Sequence, residues 1–240
     1  MAYQPVVRIS DGAVAVAEQS GLILEIGAWV LERSCRDWVR WHAGHADLAL
    51  DLSVNVSARQ LMGPGFCSTV GLVLDVTKMD PGSLVLEVTE GIFVEDGDRA
   101  MTVLANLKAL GVRLALDDFG TGYCSLGYLR KFPVDIVKID QGFVAGIGRD
   151  PAAATIVAAV TSLAHVLHMR VTAEGVETER QRDEVLGIGC ELAQGFFYSQ
   201  PLSGTDFARH LDACEGGPIL LPATGRAPSE RLSAAALGSA

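Results

Sequence analysis

The chain has 240 residues, a length that one domain would fill. Hydrophobic residues make up 49% of it and charged residues 20%, a balance that predicts a folded core with a soluble surface. Its formal net charge is −10, which excludes general binding to DNA, RNA or an anionic membrane surface, because such binding needs a basic face. A phosphate ligand is still compatible with this charge if bound metal ions reverse the local field.

Cysteine usage and the hydropathy pattern indicate the cellular compartment in which the protein is expected. There are five cysteines, an odd number without a CxxC pair, so the sequence indicates neither a disulfide framework nor a zinc site. The first residues have neither the basic nor the apolar stretch of a signal peptide. No apolar run reaches the roughly 18 residues that a membrane span needs. We therefore expect a cytoplasmic protein, with its cysteines reduced, that does not enter a membrane.

Short apolar runs alternate with amphipathic stretches along most of the chain. The expected strands lie at residues 48–56, 83–88, 112–116, 136–139, 171–173 and 191–193, with weaker candidates at 3–9 and 13–16. The clearest helices between them are expected at residues 98–110, 152–167 and 179–188. Apolar strands separated by helices indicate a parallel sheet covered by helices, and eight of them favour a (β/α)₈ barrel over an open doubly wound sheet.

The composition changes near the end of the chain. Residues 216–240 are rich in Ala, Pro and Ser, which is typical of a segment that cannot bury a core. We expect a barrel domain at residues 1–215, followed by a disordered tail at residues 216–240.

Polar side chains stand where the later strands of this barrel are expected to end. In barrels of this type the chemistry takes place at the carboxyl ends of the strands. A single polar residue there is commonly a helix cap or a turn residue, but here six successive strand ends carry one. In chain order these residues are Asn55, Glu87 with Glu90, Asp117 with Asp118, Lys138, Glu174 with Glu177, and Gln194.

The chemistry of this set points to metal ions. Carboxylates that converge on one site repel each other unless a cation neutralises them. The set offers oxygen ligands and no His or Cys, which favours Mg²⁺, Mn²⁺ or Ca²⁺ over zinc. Asp117 and Asp118 are adjacent, so one could bridge two metal ions while the other holds the second, a recurring device for displacement at phosphorus. The residues alone indicate a metal-dependent barrel that acts on a phosphate ester.

Seven segments, in order, resemble the EAL domain of cyclic di-GMP phosphodiesterases. The resemblance covers about residues 3 to 212. The segments are YQPVV from Tyr3, NVSARQL from Asn55, EVTE from Glu87, DDFGTGY from Asp117, FPVDIVKID from Phe132, AEGVET from Ala173 and QGFFYSQPL from Gln194. The fold that this resemblance implies is the family's modified barrel, in which one early strand runs antiparallel to the others.

The resemblance implies a role for each matching position. It assigns Asn55, Glu87 and Asp117 to a first Mg²⁺ or Mn²⁺ ion, and Asp117 with Asp118 to a second. The reaction it implies is the hydrolysis of cyclic di-GMP to linear pGpG by a metal-activated water.

The remaining matched positions would complete the pocket. Lys138 would lie beside the attacking water and the phosphate, and Glu174 and Gln194 would complete the polar shell. Glu90 would anchor the loop from residue 117 to residue 128, and Glu177 is a further pocket position. Family barrels often pair through the loop and helix after the fifth strand, so the resemblance also allows a homodimer.

The chain departs from the family near residues 16 and 17. Family members carry the Glu-Ala-Leu motif on a second strand, where its glutamate binds the first metal ion and a following arginine contacts the phosphate. Here residues 13–16 run directly into the segment that matches the next family helix, so about twenty residues, most of one βα unit, are missing. Glu18 is the nearest acidic residue, but it matches a glutamate of that helix and is not expected to replace the metal ligand.

The missing segment leaves three functional classes open. Loss of a metal ligand and the phosphate-binding arginine predicts an inactive or strongly impaired phosphodiesterase, with one metal ion or none tightly bound. The alternative is a non-catalytic module that binds cyclic di-GMP or docks a protein partner in signalling. The third class is a truncated relic that folds poorly. Turnover of cyclic di-GMP would indicate the phosphodiesterase, and binding without product would indicate the module. The absence of both would indicate the relic.

Overall fold

The computed structural model describes residues 20–46, 48–120 and 129–212, except the side chains of residues 93–95, together with the backbone of residues 2–3. Several predictions fall outside these ranges: the strand at 13–16, most of the strand at 3–9, the junction at 16–17 with Glu18, and the tail at 216–240. The chain forms two compact units. The first contains Ala2–Leu114 and Gly127–Pro133, and the second contains Ala115–Leu126 and Val134–Ala240.

Three parallel strands form the sheet of the first unit. They are β1 (Ala2–Tyr3), β2 (Asp51–Asn55) and β3 (Leu84–Thr89), adjacent in that order. β1 pairs with β2 through Ala2↔Asp51 and Tyr3↔Leu52, and β2 pairs with β3 from Leu52↔Leu84 to Asn55↔Glu87. Since β1 pairs directly with β2, no strand lies between these two at that level.

Helices of the first unit cover this sheet. They are α1 (Ile23–Gly44), α2 (Ala58–Leu61), α3 (Phe66–Thr77) and α4 (Ile92–Ala109), and a 3₁₀ turn at Pro81–Ser83 precedes β3. α1 buries Leu31, Cys35 and Trp38, whose spacing places them on one helical face. The indole Nε1 of Trp38 donates to the carbonyl of Leu50 at 3.1 Å, which fixes α1 against the chain entering β2.

Four parallel strands run through the second unit. They are β4 (Arg113–Phe119), whose first two residues belong to the first unit, β5 (Ile136–Ile139), β6 (Arg170–Ala173) and β7 (Leu192–Ala193). β5 pairs with β6 from Ile136↔Arg170 to Ile139↔Ala173, and β6 pairs with β7 at Ala173↔Ala193. The pairing of β4 with β5 contains an irregularity after Leu116.

The helices of the second unit begin at well-formed caps. They are α5 (Gln141–Gly146), α6 (Pro151–Val166), α7 (Glu179–Ile188) and α8 (Gly204–Asp212). The Asp150 carboxylate accepts from the Ala152 N–H at 2.9 Å, and proline occupies the first position of α6. Thr178 and Gln181 form a capping box at the start of α7. Local chemistry therefore sets where these helices start.

The six clear strand predictions each coincide with an observed strand, and the expectation for residues 136–139 has the observed bounds. The antiparallel early strand that the resemblance implied is not found in the described part of the chain, where every pairing given above is parallel. Within the same residues, no helix is both long and apolar enough to span a membrane.

Candidate metal site

A β-bulge at the end of β4 sets the geometry of the site. Leu116 is the register partner of Val137, and Phe119 is the partner of Ile139, so Asp117 and Asp118 both stand opposite Lys138. Adjacent residues of a regular strand point to opposite faces, but a bulge breaks this alternation and re-aims a side chain. Asp118, within this irregularity, has a positive φ of 54°, a left-handed conformation. The bulge thereby lets two consecutive carboxylates reach one place.

Lys138 is the cation at this place. The residue is only 3% exposed, and its Nζ lies 2.8 Å from Asp117 Oδ1 and 2.7 Å from Glu174 Oε1. A buried ammonium group is tolerated when it is paired, because its desolvation is then offset by its partners. Glu174 follows directly after β6, and its backbone N–H donates to the carbonyl of Ile139 at 3.1 Å. This bond holds the carboxylate next to the lysine strand.

Asp117, Asp118 and Glu174 form an acidic cluster. Each offers a carboxylate oxygen, and these oxygens all lie within 4.8 Å of one another. Three carboxylates and one ammonium leave two negative charges in excess when all are ionised. Asp117 Oδ1 is buried, and although it lies in ion-pair range of Lys138 it has no hydrogen-bond partner in the described residues. A hard divalent cation fits this donor set, since it prefers carboxylate oxygens and three of them lie close together here.

Gln194 is held at the same edge of the second unit. Its N–H donates to the carbonyl of Ala173 at 2.8 Å, and its own carbonyl accepts from Val176 at 3.0 Å. The next residue is Gly195, where a Cβ would lie 2.2 Å from the Val176 carbonyl oxygen, so only glycine permits the approach. The chain after β7 is thus locked to the chain after β6, next to Glu174.

Two other predicted site residues are neighbours in the first unit. Asn55 and Glu87 are register partners at the carboxyl ends of β2 and β3. Glu87 is 3% exposed, whereas Asn55 is exposed, and Glu90 is buried just beyond β3. The N–H of Val56 donates to the carbonyl of Glu87 at 2.8 Å, which keeps the two strand ends together. The sequence prediction that both stand at strand ends agrees with their positions.

Glu177 lies at the start of α7. It is exposed, and its backbone N–H donates to Gln181 Oε1 at 2.9 Å, so its backbone belongs to the helix cap. Its predicted pocket role stays a prediction. The sequence predicted that carboxylates of successive strand ends converge, whereas the bulge that brings both aspartates near Glu174 could not be inferred.

The fold and the site define a class of protein. Parallel strands alternate with helices, and acidic side chains with one buried lysine meet at strand carboxyl ends, an arrangement suited to a metal ion and a phosphate ligand. The EAL domain family model matches residues 10–201, and this chain belongs to the EAL domain family.

Known proteins agree with this assignment. The chain is 41% identical over 188 residues to the bifunctional diguanylate cyclase/cyclic di-GMP phosphodiesterase MucR of Pseudomonas aeruginosa, a match covering 78% of this chain and 27% of MucR. The signaling protein YkoW of Bacillus subtilis is 35% identical over 82% of this chain and 24% of its own length. The chain therefore spans about a quarter of the length of these curated relatives.

Solved structures confirm the predicted fold class, an α/β fold of the EAL barrel type. The PaMucR phosphodiesterase in complex with c-di-GMP has a TM-score of 0.78 and 38% identity, with 85% of this chain and 83% of that chain covered. The EAL domain of Mycobacterium smegmatis DcpA has a TM-score of 0.75 and 41% identity over 79% and 85% of the two chains. A calcium/cy-diGMP complex of Klebsiella pneumoniae BlrP1 has a TM-score of 0.64 and 27% identity over 82% and 47%.

Proposed function

We propose that this chain is a degenerate EAL domain that binds a divalent metal ion and cyclic di-GMP but hydrolyses the dinucleotide to linear pGpG slowly or not at all. The direct pairing of β1 with β2 carries this proposal. β2 contains the start of the NVSARQL segment, which matches the family's third strand, so the strand beside it should be the one bearing the Glu-Ala-Leu motif. Residues 2–3 occupy that place instead.

The alignment to one relative supports a loss of residues. The alignment to the phosphodiesterase NbdA of Pseudomonas aeruginosa runs over 224 positions yet takes up only 83% of this 240-residue chain. Because 83% of 240 residues is fewer than 224, the alignment includes positions of NbdA that have no counterpart in this chain. Deletion of a glutamate ligand and the arginine after it should cost more than the 10- to 100-fold typical of altering a residue behind the ligands.

The acidic cluster supports retained metal binding. Asp117, Asp118 and Glu174 remain close together, and BlrP1, a relative of the same fold, is known as a calcium/cy-diGMP complex. We propose that these carboxylates hold Mg²⁺ or Mn²⁺. When bound, such an ion lowers the pKa of a coordinated water and offsets charge on a phosphate.

The protein's own residues would supply position and charge. Lys138 holds Asp117 and Glu174 in fixed places, and its ammonium group would attract a phosphate oxygen. We also propose that Asn55 and Glu87 bind a first metal ion. Gln194 would line the substrate pocket. Catalytic roles for Lys138, Glu174 and Asp118 are part of the same proposal.

A side-by-side assay tests this function. Purified chain and the EAL domain of MucR are incubated with cyclic di-GMP and Mn²⁺ or Mg²⁺, binding is measured by calorimetry, and pGpG by chromatography. We expect metal-dependent binding by both proteins, with at least a hundredfold slower product formation by this chain. The Asp118→Asn variant should lose metal-dependent binding, whereas Asp75→Asn, at an exposed position of α3, should not. Product formation at the MucR rate would overturn the proposal of a degenerate site, and absence of binding in a cooperatively folded sample would overturn the binding module.

A further inference from the structure

The short helix α5 lies between the backbone segments that carry the acidic cluster. It begins immediately after β5, the strand of Lys138, and Asp140 caps it by accepting from the Gly142 N–H at 2.8 Å. Two residues of its first turn contact glycines of neighbouring segments. Phe143 contacts Gly120, and Gln141 contacts Gly175. Both glycines adopt positive φ angles, 101° and 68°.

The two contacts are closer than any residue but glycine allows. A Cβ at Gly120 would lie 2.7 Å from Phe143 Cε2 and 3.1 Å from its Cζ. A Cβ at Gly175 would lie 2.6 Å from the Cβ of Gln141 and 3.2 Å from its Cα. Glycine is needed at both positions for its conformation as well as for space, so α5 sits directly on the two backbones.

The positions of these glycines connect α5 to the cluster. Gly120 is two residues after Asp118, and Gly175 is the residue after Glu174. Asp140, the cap of α5, is two residues after Lys138. α5 therefore contacts the backbone next to Asp118 and Glu174, and it follows the strand that carries Lys138. Neither Gln141 nor Phe143 belongs to the group of candidate ligands.

Two further contacts anchor α5. Val144 is completely buried, and its carbonyl accepts from Gln181 Nε2 of α7 at 3.2 Å. Gly146 packs closely against α6, since a Cβ there would lie 2.8 Å from the Cβ of Ala153. α5 is thus a fixed support, and its contacts with Gly120 and Gly175 can set where those segments stand.

The geometry points to Phe143, assisted by Gln141, as a positioning residue for metal binding by this chain. This inference rests on the metal site proposed above. The phenyl ring braces the end of the β4 bulge, and the Gln141 backbone and Cβ brace the turn after β6. Together they hold the oxygens of Asp117, Asp118 and Glu174 in one place before a cation arrives. Such preorganisation raises affinity without adding a ligand.

The test compares two truncations on the same helix. Phe143→Leu removes the ring that contacts Gly120, whereas Val144→Ala truncates a completely buried side chain that contacts neither glycine of the cluster segments in the close approaches described above. We expect Phe143→Leu to weaken Mn²⁺ binding, measured by calorimetry, about tenfold or more. Val144→Ala should lower the urea midpoint at least as much while leaving Mn²⁺ affinity near wild type. Phe143→Tyr, which keeps the ring, should bind as wild type does.

A metal-free measurement separates this inference from the proposed function. Amide hydrogen exchange in EDTA reports local opening, and residues 115–120 and 174–176 should exchange faster in Phe143→Leu than in Val144→Ala. If the wild type binds no Mn²⁺, the proposed metal site fails, yet the exchange result still decides whether Phe143 positions these segments. Wild-type affinity in Phe143→Leu, or equal effects of both truncations on affinity or on exchange, would overturn the positioning role.

Discussion

Lys138 Nζ lies 2.8 Å from Asp117 Oδ1, and this buried ion pair is formed at the one place where β4 departs from a regular strand. The bulge puts Asp117 and Asp118 opposite a single residue, which is the lysine. Since Glu174 also contacts Lys138, the ammonium group joins the carboxyl ends of β4, β5 and β6. The positive charge of Lys138 therefore holds the cluster together. The same charge would compete with a bound metal ion for the carboxylates.

Replacing Lys138 by methionine should destabilise the protein strongly. The substitution keeps an apolar chain of similar length but leaves Asp117 and Glu174 without their cation, a loss of about 3–5 kcal/mol for a broken buried pair. Urea unfolding in EDTA measures it. Added Mn²⁺ should recover part of the loss, because the metal ion then supplies the positive charge.

The matched control for this change is Lys78→Met. Lys78 also pairs with a carboxylate, Asp75, but both side chains are largely exposed, at 77% and 74%. Exposed pairs contribute little to stability. Similar urea midpoints for Lys138→Met and Lys78→Met in EDTA would show that the buried pair is not the main support of the cluster.

The strands and motifs could be predicted from the sequence, whereas the bulge could not. Residues 136–139 form an apolar run interrupted by one lysine, and the prediction matches the observed strand. The strand was predicted at residues 112–116, with Asp117 and Asp118 at its carboxyl end. The observed strand continues to Phe119, and Asp117 within it pairs with Lys138 on the neighbouring strand. That partner is distant in sequence, so periodicity carries no signal for it.

The positions of the site residues were predicted at the level of strand ends. Lys138 and Glu174 were expected at the ends of successive strands, and Lys138 Nζ lies 2.7 Å from Glu174 Oε1. The support given by Phe143 could not be inferred, because a phenylalanine in a helix is typical of any core. Only the positive φ of Gly120, together with the close contact, distinguishes it.

Tyr198→Phe should be neutral or stabilising at neutral pH and should remove part of the alkaline loss of stability. The Tyr198 hydroxyl oxygen is buried and has no hydrogen-bond partner in the part of the chain that the structure describes. Burial raises the pKa of this phenol from 10.0 to about 12, while nearby Arg182 acts in the opposite direction. Removing an unsatisfied buried hydroxyl recovers a desolvation cost of about 1 kcal/mol.

The sign of the pH effect follows from the raised pKa. Below pH 10 the phenol is protonated in both folded and unfolded protein, so its contribution is constant. Between pH 10 and about 12 the unfolded chain ionises while the folded protein does not, and stability falls. Urea midpoints of wild type and Tyr198→Phe at pH 8 to 11 should diverge only above pH 10. Parallel curves over this range would contradict the assignment.

Gly27→Ala should destabilise the first unit, although alanine is normally the better helix residue. A Cβ at Gly27, within α1, would lie 1.7 Å from Gln60 Nε2. Gln60 is buried, and its Oε1 accepts from the Ser57 N–H at 3.2 Å, so moving it disrupts the capping box of α2. We expect a loss of about 1–3 kcal/mol, as for overpacking.

Gly187→Ala in α7 serves as the control for that substitution. A Cβ at this position meets nothing within 4 Å, so the change should stabilise the protein by about 0.5–1 kcal/mol through helix propensity alone. Urea unfolding of both variants provides the comparison. Stabilisation by Gly27→Ala would mean that Gln60 can leave its place at little cost.

Asp118→Gly should make the metal-free protein more stable and the metal site weaker. Asp118 has a φ of 54°, a conformation that costs a residue with a Cβ about 1 kcal/mol or more relative to glycine. Glycine removes this strain, which should raise stability in EDTA, and it also removes one of the three neighbouring carboxylates. Loss of that carboxylate should reduce Mn²⁺ affinity more than tenfold.

His168→Gly is the control, because His168 has a φ of 60° outside the acidic cluster and should show the gain in urea midpoint with unchanged Mn²⁺ affinity. If Asp118→Gly is instead less stable than wild type in EDTA, the strained conformation is maintained by contacts worth more than the strain, and the trade of stability for metal binding at this residue is wrong.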